Sequence, residues 1–320
     1  MGRGRLAADG SIAAFPAVAT PPCPRSCASA APRFAMLSYR HAFHAGNHAD
    51  VLKHAVVVQL LEHLTQKDKA IWYIDTHAGA GLYALEHEWA QKKAEFETGI
   101  APLWRAAASG TALPPLLDEY LDQVRALNQD GNLRHYPGSP WLAWQMLREQ
   151  DRLRLFELHS TEIQVLRDNF RGAGRRVMLY DGDGFGGIKA ILPPPPRRAL
   201  VLVDPSYEDK QDYARTVQTV RDGLERFATG VYAVWYPQVQ RRESLQLPVQ
   251  LKALPLKSWL HVTLTVRHPV EGGLGLHGSG MFIINPPWRL EEMLREAMPL
   301  LVNLLGQDDG AKFTLEAEER

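Results

Sequence analysis

Apolar residues recur along this chain with two alternating periods. From Asn47 to Gln66, residues Val51, Leu52, Ala55, Val56, Leu60, Leu61 and Leu64 fall three or four apart, which predicts a helix. Ala70–Asp75 (AIWYID) is instead a short continuous apolar run that ends in a turn containing Gly79 and Gly81, the pattern of a parallel strand buried on both faces. Comparable runs predict strands at Leu153–Leu158, Val177–Tyr180, Ala199–Val203, Val231–Tyr236, Trp259–Val266 and Met281–Ile284. Helical periods lie between several of them, notably Gln211–Phe227, and Leu290–Leu305 follows the last. Such alternation predicts an α/β fold, doubly wound around a mostly parallel, seven-stranded sheet. Between the last two strands there is only the Gly-rich stretch Glu271–Gly280, so these two are expected to form a C-terminal antiparallel hairpin at the sheet edge. Residues from Tyr83 to about 136 add helix-forming stretches, Leu116–Leu127 among them, and predict a small helical insertion.

Residues 1–35 follow neither period. They are rich in Ala, Pro, Arg and Ser and read as a disordered N-terminal extension, ahead of one domain spanning 36–320. Their Arg-rich, acid-poor composition also loosely suits a transit peptide, whereas Met36 offers a natural start for the domain. Cys23 and Cys27 both lie in this extension, and a lone C-x3-C without further ligands is a poor zinc signal. A domain without cysteine suits a reducing cytoplasm. No apolar run approaches the ~20 residues that span a bilayer. Formal net charge is zero, with Arg3, Arg5, Arg25 and Arg33 concentrated in the extension and a slight acidic excess in the remainder. A chain so balanced is not a broadly basic nucleic-acid binder, and any RNA contact must come from a local patch or a shaped pocket.

Two turns carry the candidate chemistry. Asp75-Thr76-His77-Ala78-Gly79-Ala80-Gly81 follows the first strand directly, where Gly79 and Gly81 would let the backbone turn sharply and approach a ligand. Such a loop needs an acidic residue at the end of the next strand to accept hydrogen bonds from ribose hydroxyls. Glu157 is the first that qualifies, and its distance from the glycines is what requires the insertion. The following strand runs into Asp181-Gly182-Asp183-Gly184-Phe185, where a carboxylate could accept from an adenine amine, although an Asp-Gly turn is common on any surface.

The second turn is Asp204-Pro205-Ser206-Tyr207, after the strand ALVLV. An adenine amine is a weak nucleophile because its lone pair is delocalised into the ring. A carboxylate and a fixed backbone carbonyl that both accept its N–H groups would pull the nitrogen towards tetrahedral geometry. Pro205 would stiffen the turn that presents the carbonyl, and Tyr207 would stack on the extruded base. Asn285-Pro286-Pro287-Trp288 matches the same pattern better in isolation, but it follows the final hairpin strand rather than one beside the Gly79 loop. Strand order therefore favours Asp204.

The segments MLSYRHAFHAGNHADVLKH (from Met36), DTHAGAG, YPGSP, DGF, DPSYE, FATGVYAVWYP and SGMFIINPPW together resemble the bacterial 23S rRNA adenine-N6 methyltransferases, the ribosomal RNA large subunit methyltransferase J family. The likeness runs from residue 36 to about 305 and leaves 1–35 outside it. It implies a Rossmann-like, class I methyltransferase that uses S-adenosylmethionine, needs no metal, and acts as a cytoplasmic monomer on a specific adenine of 23S rRNA. It further implies cofactor contacts at His54, His77, Ser139, Glu157, Asp183 and Gly184, Asp204 as the catalytic acceptor, and Tyr39 near the RNA. Two departures from the general amine-methyltransferase pattern matter. His77 stands where many such enzymes keep a glycine, and Ser206 replaces a second proline, which leaves the turn less rigid. His41, His44, His48 and His54 are spaced like metal ligands, but nothing nearby completes a convincing site; Tyr39-Arg40-His41 suits stacking and phosphate contacts instead. A DNA adenine methyltransferase, or a silent RNA-binding module on the same fold, would share these motifs.

Overall fold

Asn47 starts the first helix, α1 (His48–Thr65): its side-chain oxygen accepts from the amides of Ala49 and Asp50 at 3.0 and 2.9 Å. The computed structural model describes residues 41–86, 94–270 and 275–319, so the expectations for 1–35 and for Tyr39 fall outside the described residues. Helix α1 is buried on nearly all sides, including at Asp50, Lys53 and His54. A helix enclosed in this way must satisfy its charged groups inside the protein, and these three face the site described below.

The chain then forms β1 (Trp72–Asp75) and β2 (Leu82–Ala84), helices α2 (Ile100–Ala108) and α3 (Pro115–Arg125), β3 (His135–Pro137) and α4 (Ser139–Met146). Strands β2 and β3 pair antiparallel, so they tie together the two ends of the segment expected to be a helical insertion. Its helices share one continuous core with α1 through Leu103, Leu117 and Tyr120. Three-residue strands lack a visible period, which is why this pair was not anticipated.

Five strands then alternate with helices: β4 (Arg152–Glu157), α5 (Ser160–Asn169), β5 (Val177–Asp181), α6 (Gly184–Ile191), β6 (Ala199–Val203), α7 (Gln211–Arg226), β7 (Val231–Gln238), α8 (Arg242–Lys252) and β8 (Ser258–Thr265). The chain ends with β9 (Gly278–Ile284), α9 (Leu290–Leu305) and β10 (Lys312–Glu319). The main sheet has eight strands, not seven, in the order β10-β8-β9-β7-β6-β1-β4-β5. Strands β5, β4, β1, β6 and β7 are mutually parallel, and β9 and β10 run against their neighbours.

The expected edge hairpin is therefore interior. Strand β9 inserts between β7 and β8, and β10 pairs with β8 along residues 312–319. Strand β10 (KFTLEAEE) escaped notice because Lys and Glu dominate it, as befits an edge that must not recruit another chain. Strand β9 starts at Gly278 rather than Met281. Gly280 reads as a turn residue, yet a Cβ there would collide with the Tyr236 ring, so the glycine serves close packing within the sheet.

The order of strands creates the site. From β1 the chain moves outward through β4 to β5, then returns to the other side of β1 with β6. Connections thus diverge on the two sides of β1, and a crevice opens at the carboxyl ends of the strands there.

Candidate active site

Register brings the predicted turns together. Asp75 pairs with Leu202 of β6 and with Leu155 of β4, so Asp204 and Glu157 each lie two residues beyond, flush with the Thr76–Gly81 loop. Glu157 in turn pairs with Asp181, two residues before Asp183. A cavity of about 460 Å³ occupies this end of the sheet. His54, His77, Gly79, Ser139, Glu157, Asp183, Gly184, Asp204, Pro205, Ser206 and Tyr207 all line it. Gly81 does not: it adopts φ +80°, and a Cβ there would press on Leu166 and Phe170, so it lets the loop pack against α5.

The Gly79 loop is held from below by buried Asp75, whose Oδ2 accepts from Tyr73 Oη (2.8 Å) and Ser139 Oγ (2.7 Å), while Oδ1 accepts from the His77 amide (3.1 Å). The Ser139 hydroxyl is thus spent on the loop's support. Gly79 has φ +60°, and a Cβ there would run into Tyr83 Oη. Its amide donates to Glu157 Oε2 and the His159 amide to Oε1, both at 2.7 Å. Burial raises the Glu157 pKa to about 7, against the lowering effect of those two amide bonds.

Beside it, Asp183 caps α6 by accepting from the Phe185 amide (3.2 Å), and Arg215 Nη2 lies 2.8 Å from its Oδ2. Gly184 packs on the Thr76 backbone with no room for a Cβ. The His77 ring meets the edge of Phe185, with centroids 4.6 Å apart, and burial lowers its pKa to about 3, so it is a neutral group near pH 7.

At the other end of the cavity Asp204 meets Lys53, a residue the sequence reading passed over. Lys53 Nζ is 2.7 Å from Asp204 Oδ2 and 2.8 Å from Asp50 Oδ1. Asp50 Oδ2 in turn bonds His41 Nε2 and the Gly46 amide, each at 2.9 Å. Burial works against the Lys53 charge, but the two carboxylates outweigh it and hold its pKa above the ordinary lysine value. Burial raises Asp204 to about 6, against the pull of Lys53. Asp50, although buried, is held well below the usual carboxylate range by His41, Lys53 and His54. The signal was present as a charged pair at i and i+3 on a helix whose positions from Ala49 to Leu61 are otherwise apolar apart from His54 and Gln59.

The histidines do not converge. His41 bonds Asp50, His44 Nδ1 bonds Glu95 (2.8 Å) and His54 Nδ1 bonds Tyr136 Oη (2.8 Å), with His54 Nε2 a further 3.9 Å from Asp50.

Tyr207, at the cavity wall, is packed largely into the protein. Its ring is 2 % exposed, packed against Tyr213 and Trp235 with centroids 4.5 and 6.0 Å away, and its hydroxyl donates to the Trp235 carbonyl (2.8 Å). These contacts anchor the turn from inside. The cost of the anchor is a left-handed backbone, φ +54°.

Asn285 lies at the opposite end of the sheet, since Ile284 pairs with Tyr232 near the start of β7. Its amide donates to the carbonyls of Ala228 and Gly230 at 2.9 and 2.7 Å, a structural use of the motif.

The family model described as "Ribosomal RNA large subunit methyltransferase D, RlmJ" matches residues 68–316. Two relatives named "Ribosomal RNA large subunit methyltransferase J" are similar over most of their length. The Escherichia coli protein is 46 % identical over 266 residues, covering 83 % of this chain and 93 % of its own. The Haemophilus influenzae protein is 43 % identical over 282 residues, 88 % and 98 % respectively. A crystal structure of a Legionella pneumophila protein, 34 % identical, superposes with a TM-score of 0.77 over 86 % of this chain and 98 % of that one. With a family model matched over residues 68–316 and relatives this similar over nearly their whole length, the chain belongs to the ribosomal RNA large subunit methyltransferase J family.

Proposed function

We propose that this protein transfers the methyl group of S-adenosylmethionine to the exocyclic nitrogen of a specific adenine in 23S rRNA. The observation that carries the reading is the register of β4, β1 and β6, which places Glu157, the Gly79 loop and Asp204 around one cavity.

The residues present fit the cofactor. A volume of about 460 Å³ suits a nucleoside-sized ligand. Gly79 lets the loop adopt φ +60° without striking Tyr83 Oη, and the carboxylates of Glu157 and Asp183 on the cavity wall would hold the ribose hydroxyls and the adenine amine of the cofactor. When bound, S-adenosylmethionine supplies an electrophilic methyl group on a sulfonium.

The chain's own residues prepare the acceptor. Lys53 occupies Asp204 Oδ2, which leaves Oδ1 to accept an N–H of the adenine amine. That bond localises the nitrogen lone pair and aims it along the cavity. With its pKa raised to about 6, Asp204 is ionised near pH 7 yet basic enough to receive the proton that the nitrogen sheds on methylation. Fixing both partners in one cavity supplies much of the remaining barrier reduction. Tyr39 is a candidate RNA contact by its match to the family motif, and the cytoplasm is where such a substrate is assembled.

Incubation with labelled S-adenosylmethionine and protein-free 23S rRNA tests the reading. Label should enter RNA as N6-methyladenine. Incorporation into DNA but not into rRNA would overturn the choice of substrate, and incorporation into neither would overturn the enzyme.

A further inference from the structure

The turn that carries Asp204 lacks a second proline, and serine at 206 leaves its backbone free to rotate. The structure holds the turn by other means. Arg241, at the exit of β7, donates from Nη1 to the Tyr207 carbonyl at 3.0 Å, with the Glu208 carbonyl 3.5 Å away. From the same strand, the Trp235 carbonyl takes the Tyr207 hydroxyl at 2.8 Å. Tyr207 is thus gripped at its main chain and at the tip of its side chain, and it holds a left-handed φ of +54° that a free turn would relax. Among the described residues the Ser206 amide donates no hydrogen bond, so a proline there would forfeit none.

We propose that Arg241 is a positioning residue that braces the Asp204–Tyr207 turn in place of the missing proline. A proline ring would restrain the backbone covalently. Arg241 does so from outside, by tying two successive carbonyls of the turn to the neighbouring strand. Because Arg241 also lines the cavity, the competing role is a direct contact with the phosphates of the RNA. The two roles differ in kinetics. A brace sets how well Asp204 is aimed at the reacting nitrogen, hence kcat. A phosphate contact contributes to binding of the ground state and the transition state alike, hence KM.

The inference rests on the methyl-transfer reading above. The experiment compares the wild-type chain with Arg241→Ala, Arg241→Lys and the double variant Arg241→Ala/Ser206→Pro, measuring kcat and KM on 23S rRNA and cofactor affinity by calorimetry. Arg241→Ala should lower kcat roughly 10- to 100-fold while KM and cofactor affinity stay within about 2-fold. Arg241→Lys, which keeps the charge and N–H donors on a shorter side chain without the planar fork, should fall between. Adding Ser206→Pro to Arg241→Ala should recover about 10-fold of the lost kcat. A raised KM with kcat intact would overturn the brace in favour of RNA contact. A double variant no faster than Arg241→Ala, or loss of cofactor binding together with kcat, would overturn it too. If the wild-type chain itself transfers no methyl group, the functional reading fails instead.

Discussion

At the scale of single residues, the site depends on carboxylates that burial has made less acidic. Lys53 lies between Asp50 and Asp204 and offsets part of that effect. Removing its charge in Lys53→Met should push the Asp204 pKa above about 6, because burial would then act with less opposition. The acidic limb of the kcat–pH profile should move to higher pH, and a limb that does not move would detach Lys53 from Asp204. Glu157 makes a separate prediction. With a pKa near 7 it loses its charge on mild acidification, so cofactor affinity measured by calorimetry should weaken as pH falls below about 7. In Glu157→Gln affinity should be lower throughout and flat across that range, and a pH dependence that persists would assign it to another group. In the cofactor-free protein the sign for stability is opposite. A carboxyl raised from 4.5 contributes stability that is present below 4.5 and lost as pH rises to about 7.

At the scale of elements, the two Pro-containing turns divide the work. Both place a residue at φ +54°, Tyr207 in one and Asn285 in the other, but they sit at opposite ends of the sheet. Asn285 closes the turn before β7 by bonding two carbonyls. Asn285→Ala removes both bonds and leaves a left-handed alanine, so it should cost about 1–3 kcal/mol of unfolding free energy. Methyl transfer at a temperature where the variant is folded should be retained. An inactive but folded variant would mean that strand order had been misread. Elements with strong periodicity were legible: α9 matches its predicted bounds, α1 is one residue shorter at each end, and α7 starts as predicted and ends one residue early. Elements whose residues serve another purpose were not. The glycines of β9 make room for Tyr236 and imitate a loop, and the charges of β10 protect an edge and imitate a tail.

At the scale of the whole molecule, the motifs were visible in the sequence, and the sheet supplies what joins them. Nothing in the spacing of residues 75, 157 and 204 states that they share a cavity. That follows from β1 lying between β4 and β6. Lys53 and Arg241 were hidden for a related reason, since each acts on a turn more than thirty positions away in the chain. The packing of the Tyr207 ring against Tyr213 and Trp235 was hidden in the same way, because an aromatic beside an Asp-Pro pair suggests stacking on a base and says nothing of its neighbours in the fold. No helix among the described residues is long and apolar enough to cross a membrane. The central claim is that Asp204 at this strand end directs methyl transfer to an adenine amine of 23S rRNA. The most direct test is transfer from labelled S-adenosylmethionine to protein-free 23S rRNA by the wild-type chain and by Asp204→Ala, with the RNA digested to nucleosides. The account predicts labelled N6-methyladenosine from the wild type and a loss of at least about 10²-fold in rate for Asp204→Ala, with cofactor affinity kept. Undiminished transfer by Asp204→Ala, or label recovered in any nucleoside other than N6-methyladenosine, would contradict it.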